Sequence, residues 1–404
     1  MNQADPVEPG RQETPSPGAD PSRLPVARQG EGESPGVMRP EGEVNRLPET
    51  SCAPVFVVGY MHSGTTLLHN ILAAHPVFFA AAAETRYFAY LPFLKRLYPD
   101  LDEDETLINL ILMLAELIEQ GGPDRLRTLP RGYRPVPPPL DEADVRAIVA
   151  ATQPRTHGVA FRATFEHLTA RAGKKRWIEK TPQHVFLVDE IRQSVPEAQF
   201  VEILRDPRDI LASKKKRTRS VRATDPAERR VRQLERVYDP LWDALEWRLA
   251  VRAGQRARAT YPDHFYSVRY EDLVQQPETT VRGVCAFLGL DFSPQMLDVR
   301  WWNTAEGDRS DRKGIVSDAL GRWTQTLTPA EVGLAQRVTG GEFRGAGYTP
   351  APVPRRAWPG MVWLTVRAGG GLIDRLMRRW RLGGPRFLLN TLVNYVKALR
   401  GLVR

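Results

Sequence analysis

Residues 54–72, PVFVVGYMHSGTTLLHNIL, decide the fold. Val55 to Val58 are apolar and mostly β-branched, which predicts a buried strand, and Leu67, Leu68, Ile71 and Leu72 recur at helical spacing after a turn. Between them, Gly59-Tyr-Met-His-Ser-Gly64-Thr65-Thr66 sets two glycines five apart, so that backbone N–H groups can converge on an anion. A helix starting near Thr65 adds its positive end and two hydroxyl donors. The stretch predicts a phosphate cradle. It matches a nucleotide P-loop, GxxxxG then Thr-Thr, except at the lysine that reaches the β- and γ-phosphates. A triphosphate needs that charge and a magnesium ion, whereas a loop of amides and hydroxyls suits a nucleotide with less charge to neutralise. For the glycines alone, a plain turn between any strand and any helix is the bland alternative.

The chain has 404 residues, of which 42% are apolar, enough for a sizeable core. Residues 1–50 are rich in Pro, Gly, Glu, Arg and Ser without periodicity, the pattern of a disordered segment. No apolar stretch follows Met1, so no signal peptide or anchor is expected there, and the longest apolar run, Leu107 to Leu117, is too short to span a bilayer. Two cysteines, Cys52 and Cys285, form no framework and lack metal-ligand spacing, which favours a reducing cytosol. The net charge is +9, but residues 351–404 carry eleven Arg plus Lys against one acid, Asp374, leaving the rest of the chain near neutrality. That distribution argues against a nucleic-acid groove and for a local contact with an acidic surface.

In chain order, Val77 to Ala83 predicts a second strand that leads into Glu84-Thr85-Arg86. An acid at a strand's carboxyl end beside a phosphate loop is placed to take a proton, or it simply faces a helix dipole. Asp104 to Gln120 and Ala160 to Ala172 predict helices, with a Pro-rich loop over Arg131 to Leu140. Trp177 and Ile178 predict a strand that ends at Lys180-Thr181-Pro182, with His184 one turn on. Lys180 can stabilise developing negative charge or be one solvated lysine of a cluster. Ala198 to Leu204 predicts the next strand, with Arg205 at its tip and Ser213 eight residues on along a helix, able to bracket one phosphate. Arg208 can instead pair with Asp206 or Asp209, and Lys214 to Arg219 reads as a solvated face. A long helix over Asp225 to Arg258 and a strand over His264 to Tyr270 complete the alternation. Five strands alternating with helices predict an α/β fold, P-loop-like and three-layered, with a mostly parallel central sheet.

Together these residues resemble the PAPS-dependent sulfotransferases, above all the branch of the tyrosylprotein sulfotransferases and their bacterial relatives. Ser63-Gly64-Thr65-Thr66 resembles that family's loop for the 5′-phosphosulfate, and Arg205 with Ser213 its 3′-phosphate site. Glu84 in Glu-Thr-Arg resembles the catalytic base, and Lys180 in Glu-Lys-Thr-Pro the transition-state lysine. Tyr270 resembles the tyrosine near the nucleotide, and Ser310 with the pair Arg322-Trp323 resembles a late loop whose serine helps the transition state and whose basic residue holds the nucleotide. His62 stands where the family usually has Arg or Lys, a weaker and titratable partner for the phosphosulfate. The resemblance spans about residues 54–350. It implies transfer of a sulfuryl group from PAPS to the hydroxyl of a small molecule, lipid or glycan in a bacterial-type cytosol. It also implies release of 3′-phosphoadenosine 5′-phosphate and no metal.

The domain division expected is a disordered segment at 1–50, a sulfotransferase domain at 51–350 and a basic, amphipathic, helical tail at 351–404. A P-loop kinase and a catalytically inactive, nucleotide-binding member remain the alternatives. The tail can lie on an anionic membrane or dock against its own domain or a twin subunit.

Overall fold

A computed structural model describes residues 53–82, 84–120, 140–220, 238–298, 315 and 320–369 of the chain. The expected disordered segment, Ser310, the Pro-rich loop before Leu140 and the tail beyond residue 369 lie outside the described residues. Five strands are present among the described residues: β1 Val55–Gly59, β2 Phe78–Ala80, β3 Arg176–Lys180, β4 Gln199–Leu204 and β5 Phe265–Arg269. They form one sheet in the order β2-β3-β1-β4-β5, with every pairing parallel.

Alternation along these strands builds two cores. Val55 and Val57, Ile178, Val201 and Ile203, and Val268 point to one face, where they meet α1 (Thr65–Ala73), the helix Tyr270–Gln275 and the helix Pro277–Leu288. Phe56 and Val58, Trp177, Phe200 and Phe265 point to the other, against α2 (Tyr87–Leu97), α3 (Asp104–Gln120) and the helices His157–Arg171 and Pro240–Thr260. A parallel sheet covered on both faces requires strands without polar alternation, and β1 is buried at every position.

Most departures from expectation concern boundaries. The second strand is only Phe78–Ala80, and the helix expected over Ala160 to Ala172 begins earlier, at His157, because the Thr156 hydroxyl accepts from Val159 N at 3.3 Å. The long helix is described from Pro240, capped by Asp239, and Trp247 is buried as expected of core packing. Arg208 takes its surface-pair alternative with Asp206, at 2.6 Å, but buried. Lys214 and Lys215 are not a solvated face: they reach Asp243 and Glu331, each at 2.6 Å, because the helix Pro207–Ser220 is packed between two others.

Two buried titratable groups give the stability of this sheet opposed pH responses. His69 has its pKa lowered to about 4, by desolvation first and the Lys180 charge second. Burial raises Glu202 to about 7, with the Ser267 hydroxyl, 2.7 Å away, as a partial offset. As pH falls below 6.5 the unfolded chain protonates at His69 while the folded chain does not, which removes stability. As pH falls from 7 the folded chain protonates at Glu202 first, which adds it. Each swing is about 3 kcal/mol at 1.36 kcal/mol per unit. Glu202→Gln is therefore expected to make Tm fall more steeply than wild type between pH 6.5 and 4.5, and His69→Leu to do the reverse. Parallel calorimetric Tm profiles for the three proteins would remove the assignment.

Candidate active site

Every strand leads to candidate residues at the same edge of the sheet. The loop after β1 carries Ser63 and Gly64, the exit from β2 leads to Glu84, Lys180 ends β3, Arg205 follows β4 and Tyr270 follows β5. The strand order switches direction at β1, which lies between β3 and β4, and open α/β sheets bind ligands at that point, outside the carboxyl ends of their strands.

The cradle is built by two glycines that nothing else can replace. A Cβ at Gly59 would lie 2.6 Å from the Ile203 carbonyl oxygen, and one at Gly64, where φ is +99°, would lie 2.4 Å from the Tyr270 ring. The Ser63 amide donates to the Tyr60 carbonyl at 3.2 Å, while its hydroxyl is buried with no hydrogen-bond partner among the described residues. A buried, unsatisfied hydroxyl at a helix start fits an anionic oxygen. Thr65 is buried beside it and Thr66 is half-buried.

A second cluster adjoins the first. Arg205 Nη1 donates to the His62 carbonyl at 3.0 Å, and its guanidinium lies 4.2 Å from the Tyr270 ring centre. His62 adopts φ +66°, unusual for a residue with a side chain, and its backbone carbonyl meets Arg205. Arg322 is near enough for its charge to act on the Tyr270 phenol, whose pKa burial raises. The segment carrying Arg322 is pinned by Asp209, which accepts from Gly321 N at 2.9 Å and Trp323 N at 3.0 Å. Ser213 is half-buried, about two turns into the helix Pro207–Ser220. The fork of Arg205, the Tyr270 ring and the Arg322 charge suit a second phosphate and an adenosine.

Between β2 and β3 lies a chain of polar contacts. Lys180 Nζ is 2.9 Å from Glu84 Oε1 and 3.4 Å from Thr66 Oγ1, so one ammonium touches both the cradle and the acid. Arg86 Nε and Nη2 each lie 3.0 Å from Glu84 Oε2. Burial pushes the Glu84 carboxyl up, but the Lys180 and Arg86 charges outweigh it and leave its pKa below the ordinary value. Glu84 is therefore ionised at neutral pH, able to accept a proton, and held by the cation that it must share.

The organiser of this arrangement is Glu179, which sequence analysis did not single out. It is fully buried and accepts from Thr85 Oγ1 at 2.8 Å, Thr85 N at 3.2 Å, Thr181 Oγ1 at 2.6 Å and His184 Nδ1 at 3.0 Å. Burial raises its pKa, and His184, Thr181 and Thr85 together bring it below the ordinary value. Thr181 Oγ1 also accepts from Arg86 N at 3.0 Å, where Arg86 has φ +50°. Glu179 thus ties the segment bearing Glu84 to the strand bearing Lys180. His184, fully buried with its ring edge-on to Phe56 and Phe88, is part of this support through Glu179. One signal was available: an acid beside Trp177 and Ile178 in a strand buried on both faces needs partners.

The profile of the sulfotransferase family matches residues 54–294. Among characterised proteins, the chain is 26% identical over 292 residues to the omega-hydroxy-beta-dihydromenaquinone-9 sulfotransferase Stf3 of Mycobacterium tuberculosis, covering 65% of this chain and 70% of that protein. It is 28% identical over 173 residues to carbohydrate sulfotransferase 5 of Mus musculus, over 37% of this chain and 41% of that one. Among solved structures, the sulfotransferase domain of the Synechococcus PCC 7002 olefin synthase aligns with a TM-score of 0.44 at 21% identity, over 75% of this chain and all but 2% of that one. With the match extending from the first residue of the cradle stretch past the last strand of the sheet, the chain belongs to the sulfotransferase family.

Proposed function

We propose that this enzyme transfers the sulfuryl group of PAPS to the hydroxyl of a small molecule, lipid or glycan by in-line displacement, with Glu84 as base and Lys180 as the cation for developing charge. The observation that carries this is the contact of one ammonium with both Glu84 and Thr66. Glu84 draws the proton from the attacking hydroxyl. Lys180 moves its charge toward the cradle as negative charge grows there, and in leaving Glu84 it returns basicity to the carboxylate when the proton must be taken. Ser310 is assigned, on family resemblance, a further donor to the same charge.

Ser63, Gly64, Thr65 and Thr66, with His62 beside them, would hold the 5′-phosphosulfate. Arg205 and Ser213 would hold the 3′-phosphate, and Tyr270 and Arg322 would flank the nucleotide. PAPS supplies the activated sulfate. The similar proteins named for a hydroxylated menaquinone and for carbohydrates support a hydroxyl acceptor and leave open its class. A reducing cytosol is the compartment proposed, on the scarcity of cysteine.

Incubation of the full chain with PAPS labelled in its sulfate and a metabolite extract, followed by mass identification of labelled species, tests this. Label in an acceptor is expected. Nucleotide binding without transfer would make the chain an inactive member, and thermal stabilisation by ATP with Mg²⁺ in place of the bisphosphate nucleotide would make it a kinase.

A further inference from the structure

Four of the five large apolar side chains that stand exposed among the described residues lie on one helix, 358–369: Trp358 (49%), Val362 (58%), Trp363 (60%) and Val366 (73%). That helix is firmly seated. Met361, Leu364 and Ala368 are buried against the helices Pro240–Thr260 and Pro329–Gly345, and Trp242 Nε1 donates to the Ala368 carbonyl at 2.8 Å. An amphipathic helix has one apolar face, already satisfied here by the domain. This one has a second, raised into solvent, and such a patch marks an interaction surface.

Charge selects what covers it. Residues 351–369 contain three arginines and no acid. The guanidinium groups of Arg337 and Arg367 lie 4.9 Å and 5.0 Å from the ring centres of Trp358 and Trp363, so cations rim the apolar ridge. A second copy would bring the same basic rim against itself. Residues 370–404 carry eight Arg plus Lys against one acid, so this chain's own tail is also a like-charged occupant. An anionic bilayer has the opposite sign, and tryptophan rings with arginines beside them suit the headgroup boundary.

We propose that helix 358–369 docks this protein on anionic membranes, with Val362, Trp363 and Val366 entering the headgroup boundary. The contact is independent of turnover, and so is its test. The full chain is sedimented with phosphatidylcholine vesicles, with and without phosphatidylglycerol. Wild type is expected to pellet with the anionic vesicles and to be released by high salt. Val362→Asp with Val366→Asp is expected to lower the partition coefficient by about tenfold or more, with Tm unchanged because both side chains are exposed. Absence of wild-type pelleting, or equal pelleting of the variant, overturns the proposal. So does a light-scattering mass that is dimeric in wild type and monomeric in the variant, which would assign the ridge to a second copy. Should the double variant misfold, quenching of wild-type tryptophan fluorescence by brominated lipid reads the same contact, and lack of quenching counts against it.

Discussion

The Glu84→Gln enzyme turns over about 10²–10⁴-fold more slowly than wild type while binding 3′-phosphoadenosine 5′-phosphate with unchanged affinity. Glutamine keeps the size and the hydrogen-bonding reach of the acid but cannot take a proton. The nucleotide contacts proposed for the cradle and for Arg205 do not involve Glu84, whose partners are Lys180 and Arg86. A loss confined to kcat is therefore expected, with the nucleotide Kd from calorimetry as the control. Turnover within a few-fold of wild type would remove Glu84 from the role of base. The lowered pKa adds a direction. A base that is ionised throughout the neutral range gives a rate that holds as pH drops through neutrality and declines only once the carboxylate protonates in acid.

Arg205→Ala weakens binding of 3′-phosphoadenosine 5′-phosphate by about 1.5–3 kcal/mol, roughly 10–150-fold, and leaves adenosine 5′-phosphate much less affected. The first nucleotide carries the 3′-phosphate and the second lacks it, so the difference isolates that one group. Arg205 also holds the His62 carbonyl and lies over Tyr270, and a general collapse of the loop would weaken both nucleotides alike. Equal losses for the two nucleotides would move the 3′-phosphate away from Arg205. Ser213→Ala, which removes a neutral donor, is expected to cost about 0.5–1.5 kcal/mol with the same selectivity.

The two halves of this site differed in how far they could be read before folding. The cradle was legible because its parts are contiguous: a β-branched run, two glycines and a helical repeat within nineteen residues, 54–72. Arg205 could be placed at a strand tip for the same reason, since it directly follows the apolar run that forms β4. Glu84 and Lys180 could each be placed at a strand end, but their alternatives, a helix-capping acid and a solvated lysine, are indistinguishable by spacing. They become one unit only at 2.9 Å, across 96 positions of sequence. Lys214 and Lys215 were misjudged because a run of basic residues carries no mark of the acids, Asp243 and Glu331, that meet it.

Local residue order was enough to place the strands and the anion-binding turn, since these follow from short-range periodicity and from backbone conformations that glycine favours, and its motifs were enough for the family resemblance. Three-dimensional packing set which cation neutralises which acid, that a buried Glu179 ties the segment bearing Glu84 to the strand bearing Lys180, and that one helix keeps an apolar face in solvent. Ion pairing and burial are set by distances between elements far apart in the chain, and no local pattern of residues encodes those distances.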